Sequence, residues 1–177
     1  RVSLIEGGPR ILPLLNERAS QKAAARLQKL KVDTFLNSQV NSCEERKVCL
    51  KADNLQADVI VWTAGSRNHP FFEEHHKIFT LAKNHKVVVN DYLEAAPDIY
   101  VLGDNAATPY SGMAQTALHD AIYVASMIRL HSKGHGALPY APQVPLYVVP
   151  VGPRWAVVQS GDRVTSGYSG WLLRRRA

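Results

Sequence analysis

Cysteine is scarce in this chain. Only Cys43 and Cys49 occur in 177 residues, which excludes a disulfide-rich secreted scaffold. Their spacing fits no zinc pattern, so they read as two reduced thiols. Long apolar runs are also missing. No stretch reaches the length of a membrane span, and no signal peptide is visible. There is no low-complexity segment and no internal repeat. No Ser-His-Asp or reactive-cysteine arrangement stands out. A glycine-rich phosphate-binding loop is absent as well.

What remains is ordinary globular composition, with 46% hydrophobic and 20% charged residues. The net charge is +6. It permits contact with nucleic acid or anionic lipid and demands neither; no nucleic-acid partner is expected. Arg18, Lys22, Arg26 and Lys29 share a helix face, which reads as solvated. A second cluster is Arg174-Arg175-Arg176. The chain opens on Arg1-Val2-Ser3-Leu4-Ile5-Glu6, a strand already under way, so a longer protein is expected.

The pattern predicts an α/β fold. Val2 to Glu6 is a strand, Asn16 caps a helix running to about Lys31, and Val32 to Leu36 is a second strand. That βαβ unit should have parallel strands. Gln39 to Cys43 and Lys47 to Lys51 read as strands of a small meander, and Asp58 to Thr63 as a buried strand. Lys86 to Asn90 and Ile99 to Leu102 are short strands. A long helix follows from about Met113 to His131. Its apolar face is read as Ala114, Ala117, Leu118, Ala121, Ile122, Ala125 and Ile128, whose alanines imply close approach to a sheet or a flat ligand. Lys133 to Pro145 is a loop. Leu146 to Val149, Trp155 to Val158 and Val164 to Tyr168 are strands, the last two joined by a hairpin turn.

Several strand ends carry chemistry-bearing residues. Glu6 stands where a dinucleotide fold places the carboxylate that accepts the adenosine ribose hydroxyls. It reads equally as a solvated strand end. Thr63-Ala64-Gly65 would let a ligand approach the backbone, or is a plain turn. Gly103-Asp104 offers a carboxylate to a ribityl or ribose hydroxyl, or is a turn cap. Ala114-Gln115 opens the long helix, whose N-terminal N–H groups would stabilise an anion if aimed at a flavin pyrimidine, or which is a plain amphipathic core helix. The only histidines four apart, His131 and His135, straddle Gly134, and no metal site is expected.

Taken in order, these features resemble the C-terminal half of the type II NADH dehydrogenases, single-subunit NADH:quinone oxidoreductases within the two-dinucleotide-domain flavoproteins of the pyridine nucleotide-disulfide oxidoreductase superfamily. Val2 to Pro13, Val59 to Gly65, Ile99 to Asp104 and Trp155 to Trp171 carry the likeness. It implies an incomplete Rossmann-like FAD/NAD(P)-binding fold with a small C-terminal β region. Residues 1–66 would be part of an NADH domain, 67–135 the returning part of an FAD domain, and 136–177 a β region leading to a membrane-facing segment. The implied cofactors are FAD and NADH, and the implied electron acceptor is quinone. Glu6 would hold the NADH ribose, and Thr63, Ala64 and Gly65 would lie near nicotinamide and flavin. Gly103 and Asp104 would meet the FAD ribityl chain. Ala114 and Gln115 would sit at the flavin ring, with Gln115 the catalytic candidate. His119-Asp120 replaces the family's usual Gln-Gln or Gln-Glu near the quinone.

The resemblance further implies peripheral attachment to the cytoplasmic side of the inner or plasma membrane, and leaves a homodimer open. This chain alone is expected to be inactive. Two alternatives stand beside this reading. One is another flavoprotein reductase, of the sulfide:quinone or ferredoxin type. The other is a non-enzymatic basic binding module.

Overall fold

The computed structural model describes residues 1–51, 53–65 and 67–176. The chain divides into two compact units. The first joins residues 1–63 to 146–177, and the second is residues 64–145.

In the first unit, β1 (Val2–Ile5) and β2 (Val32–Phe35) pair in parallel with Val2 opposite Val32. The connection is α1 (Glu17–Lys29). Asn16 caps it, its side-chain oxygen accepting the Ala19 N–H at 2.9 Å. The helix ends where Lys31 takes a left-handed φ of 59°. Ala19, Ser20 and Ala23 form its buried face. Ala19 and Ala23 share a core with Ile11, Leu15, Val151 and Val157. Val157 belongs to the C-terminal strands and Val151 directly follows the first of them: β8 (Tyr147–Pro150), β9 (Ala156–Ser160) and β10 (Arg163–Gly167) form an antiparallel sheet with β9 central. Gly161-Asp162 is the two-residue turn between β9 and β10. The Asn16 N–H donates to Gln159 Oε1 at 2.8 Å, and the Arg26 guanidinium lies over Trp155 and reaches the Val151 carbonyl. The C-terminal strands, expected as a region of their own, are therefore packed on α1. A three-stranded core strip leaves a helix-sized apolar face bare, and α1 is what covers it.

A meander of β3 (Val40–Glu44), β4 (Lys47–Leu50) and β5 (Asn54–Gln56) completes the sheets of this unit. Cys43 is exposed, Cys49 is half-buried, and both thiols are free. After the meander, the expected strand Asp58 to Thr63 does not form. Val59 is 78% exposed and Trp62 is 62% exposed. An apolar run becomes a strand only where a neighbour takes its N–H and C=O groups, and no strand among the described residues does so.

The second unit holds a short helix α2 (Phe71–Glu74), a hairpin of β6 (Glu94–Ala96) and β7 (Ile99–Tyr100), a 3-10 turn at Gly103–Asn105, and the long helix α3 (Ala114–His131). One core gathers Phe79, Val87, Val101 and Ala106, and another gathers Leu93, Val124 and Met127. Lys86 to Asn90 is not a strand. Only Val87 makes bridges there, to Leu81 and Ala106.

The buried face of α3 differs from the expected one. Thr116, Asp120, Val124 and Met127 point inward. Leu118, Ile122 and Ile128 are exposed, Leu118 by 64%. The inward stripe packs on Leu93, Tyr100 and Leu102, so the hairpin selects which side of the helix is covered. Of the expected alanines, Ala117 lies with its Cβ against Gly103, while Ala114, Ala121 and Ala125 are exposed.

The last helix, α4 (Tyr168–Arg174), follows Gly167 and packs on β9 and β10. The last predicted strand thus stops at Gly167, whose φ of 88° turns the chain into the helix. Among the described residues no helix is long and apolar enough to cross a membrane.

Candidate functional site

The candidate residues fall in both units. Glu6 and Thr63 belong to the first; Ala64, Gly65, Gly103, Asp104, Ala114, Gln115, His119 and Asp120 belong to the second.

Glu6 follows β1 directly. Its backbone is held by β2 and the residues after it, since the Glu6 N–H donates to the Phe35 carbonyl and the Ser38 N–H to the Glu6 carbonyl. The carboxylate folds back and accepts the Gly8 N–H at 2.8 Å. That bond uses one lone pair of Oε1 and leaves acceptor capacity for a diol. Thr63, Ala64 and Gly65 are exposed, with a bend at Ala64 and Gly65 at φ 106°.

In the second unit two of the candidates, Gly103 and Asp104, share one turn, and a third, Asp120, bonds to it from α3. Gly103 has a φ of 64°, and a Cβ there would come within 3.1 Å of the Ala117 Cβ. Only glycine fits both constraints. Its N–H donates to Asp120 Oδ2 at 2.9 Å. Its carbonyl accepts the Ser111 hydroxyl at 2.9 Å, and Lys86 Nζ donates to that hydroxyl at 2.6 Å. Asp104, next on the turn, is exposed, and its carboxylate has no hydrogen bond or ion pair among the described residues. Ala114 and Gln115 start α3 exposed. Met113 at the N-cap supplies no side-chain bond to the first-turn N–H groups, and the positive end of the helix dipole lies there.

His119 and Asp120 are adjacent in sequence and differ in environment. His119 is half-buried, its Nε2 3.0 Å from the Ala141 carbonyl and its ring 5.4 Å from that of Tyr140. Asp120 is 0% exposed. Its second oxygen accepts the Tyr140 hydroxyl. Burial raises the Tyr140 hydroxyl well above the usual phenol range, and the bond to the Asp120 carboxylate adds to that. Tyr140, Ser111 and Lys86 were not legible as site residues. Tyr140 lies in a segment rich in Gly and Pro that reads as linker. The available signal was Asp120 itself, a carboxylate in helical register with Val124 and Met127.

Among the described residues no cluster of His, Cys, Asp and Glu is arranged to hold a metal ion.

A family model described as pyridine nucleotide-disulphide oxidoreductase matches residues 1–121. The chain belongs to that family. Within the pyridine nucleotide-disulphide oxidoreductases it is similar to a type II NADH:quinone oxidoreductase of Mycobacterium tuberculosis, at 30% identity across 98% of this chain and 40% of the relative. A type II NADH:quinone oxidoreductase of Staphylococcus haemolyticus is 27% identical across 77% of this chain and 37% of its own length. Among solved structures, NDH2 from Plasmodium falciparum in complex with NADH superposes with a TM-score of 0.82 at 14% identity, covering 98% of this chain and 53% of that one. Water-forming NADH oxidase from Lactobacillus brevis superposes at 0.73 with 18% identity, covering 89% of this chain and 36% of that one. These likenesses show the fold as the α/β, Rossmann-like type of the family. The chain spans 40% of the length of the mycobacterial relative, so it holds part of that fold.

Proposed function

We propose that this chain forms part of the active site of an FAD-dependent NADH:quinone oxidoreductase of type II. The observation that carries this reading is the 30% identity to the mycobacterial enzyme across 98% of the chain. The turn at Gly103–Asp104, backed by the start of α3, supports it.

The residues present fit a flavin dinucleotide. Asp104 offers a carboxylate with free acceptor positions, which suits ribityl hydroxyls. The left-handed Gly103 keeps side-chain bulk away from that approach. The N-terminal end of α3, at Ala114 and Gln115, carries the positive end of the helix dipole and would stabilise negative charge on a pyrimidine. FAD, when bound, supplies the two-electron chemistry between NADH and quinone. The protein orients and stabilises. Glu6 holds the NADH ribose diol and repels the additional phosphate of NADPH. Thr63, Ala64 and Gly65 line the approach of the nicotinamide. Gln115 is the side chain at the flavin ring, and His119 is the group placed toward the quinone.

The same reading puts α4 at a membrane surface. Tyr168, Leu172 and Leu173 are exposed there, and Arg175 lies over the Trp171 ring at 5.3 Å. Aromatic rings beside arginines suit the boundary between headgroups and water. A quinone dissolved in that membrane would then be reached from a peripheral site.

An absorbance spectrum of the full-length gene product tests the reading. A flavin band that bleaches with NADH and returns with a soluble quinone is expected. Bleaching without return would exclude quinone as the acceptor. No flavin band after reconstitution with FAD would exclude the flavoenzyme and favour a basic binding module.

A further inference from the structure

We propose that Asp120 is a positioning residue for the cofactor-binding turn, acting on Gly103–Asp104 from inside the protein rather than meeting the quinone. The inference rests on the reading of Asp104 as a ligand for FAD.

The first argument is exposure. A group that touches a diffusible quinone needs an open face, and Asp120 has 0%. Both of its oxygens are also engaged, Oδ2 by the Gly103 N–H and Oδ1 by the Tyr140 hydroxyl.

The second argument is cost. A carboxylate in an interior destabilises the fold by several kcal/mol unless hydrogen bonds replace its water. Asp120 stands in register with Val124 and Met127, where an apolar side chain would pack without that penalty. Its two bonds offset the penalty, and both define geometry. The Gly103 bond fixes the peptide plane between Leu102 and Gly103.

The third argument is convergence. Asp120 holds the Gly103 N–H, Ser111 holds the Gly103 carbonyl, and the Ala117 methyl closes the space on its Cβ side. Lys86 orients the Ser111 hydroxyl. With both peptide groups of a glycine pinned by side chains, the direction of Asp104 is set in advance of binding. Such preorganisation lowers the ordering cost of a ligand. Glycine has the widest conformational range of any residue, so it is also the place where such restraint has the greatest effect.

Tyr140 completes the device. Its hydroxyl donates to Asp120 and its backbone N–H donates to the Asp91 carbonyl at 2.7 Å. It thereby ties the loop after α3 to the turn through a single carboxylate.

The test uses the full-length gene product loaded with FAD, and reads FAD dissociation by flavin fluorescence, the visible circular dichroism of the flavin, and KM against kcat for a soluble quinone. Asp120→Ala is expected to weaken FAD binding about tenfold, the size of one lost hydrogen bond to a charged group. The flavin dichroism should change while the quinone KM of the FAD-saturated enzyme stays put. Asp120→Asn keeps an acceptor for the Gly103 N–H and should restore most of the affinity. Tyr140→Phe should weaken FAD binding about threefold, a smaller loss of the same kind. It also decides the matter if Asp120→Ala does not fold, because unchanged FAD affinity in Tyr140→Phe overturns the proposal. A raised quinone KM in Asp120→Ala with unchanged FAD affinity and dichroism would overturn it too, by placing Asp120 at the acceptor and leaving the oxidoreductase reading intact. Failure of the unmodified protein to take up FAD would overturn both.

Discussion

Gly170 lies with its α-carbon against the backbone carbonyl of Ala156. A Cβ built on Gly170 would overlap the Ala156 oxygen, come within 3.2 Å of the carbonyl carbon and approach the Thr165 oxygen at 3.4 Å. These are main-chain atoms of β9 and β10, which cannot swing aside as a side-chain tip can. The contact sets how closely α4 sits on its sheet. Gly170→Ala is therefore expected to destabilise the protein by ~1–3 kcal/mol, the usual range for overpacking a closed contact. Urea denaturation monitored by Trp fluorescence would show an earlier midpoint. An unchanged midpoint would mean that α4 is free to lift.

Asn16→Ala removes the acceptor for the Ala19 N–H and leaves the backbone bond to Gln159 in place. The expected loss is ~1 kcal/mol, typical of an N-cap. Denaturant titration of the two proteins side by side is the check. Equal stability would show that water replaces the cap without cost.

Tyr140 gives a pH dependence. Its hydroxyl holds its proton more tightly in the folded state than in the unfolded chain. That contribution is fully present below the ordinary tyrosine pKa of about 10 and is lost as pH rises through the higher folded value. The melting temperature should therefore fall less steeply above about pH 10 in Tyr140→Phe than in the parent. Parallel curves would mean that the hydroxyl is not buried against Asp120 in solution.

Glu6→Gln tests the dinucleotide preference in the full-length enzyme. It keeps an acceptor for the Gly8 N–H and removes the charge that, on the proposed reading, would face an additional phosphate. The ratio of kcat/KM for NADH over NADPH should fall about tenfold, since like charges at close range cost at least that much. An unchanged ratio would remove Glu6 from the nucleotide site.

Local signals were the legible ones. Asn16 ahead of an amphipathic run, the β1-α1-β2 order, the meander around Glu44-Glu45-Arg46 and the hairpin at Gly161-Asp162 all depend on near neighbours, and all form. Asp58 to Thr63 reads as a strand because its residues favour one, yet a ladder needs a second strand that the sequence of the run does not specify. The face of α3 was misread for a related reason. Counting apolar residues favours the Leu118 and Ile122 side, while the hairpin at Leu93 and Tyr100 covers the Val124 and Met127 side. Within the candidate site, the Gly103-Asp104 pair was visible as a motif. The partners that hold it, Ser111, Lys86, Asp120 and Tyr140, come from separate segments, and no spacing rule joins them.

The first unit is assembled from both ends of the chain, and this orders events during synthesis. The bond from Asn16 to Gln159 spans 143 residues. Ala19 and Ala23 have Ile11 and Leu15 beside them early in synthesis, but their core is complete only once Val151 and Val157 emerge. Until then α1 has β2 beside it but lacks its C-terminal partners, while the second unit is drawn from residues 64–145 alone. Closing so long a loop is slow when the intervening chain is loose, and faster once it has condensed. A lesion that keeps residues 64–145 loose is therefore expected to slow closure of the first unit.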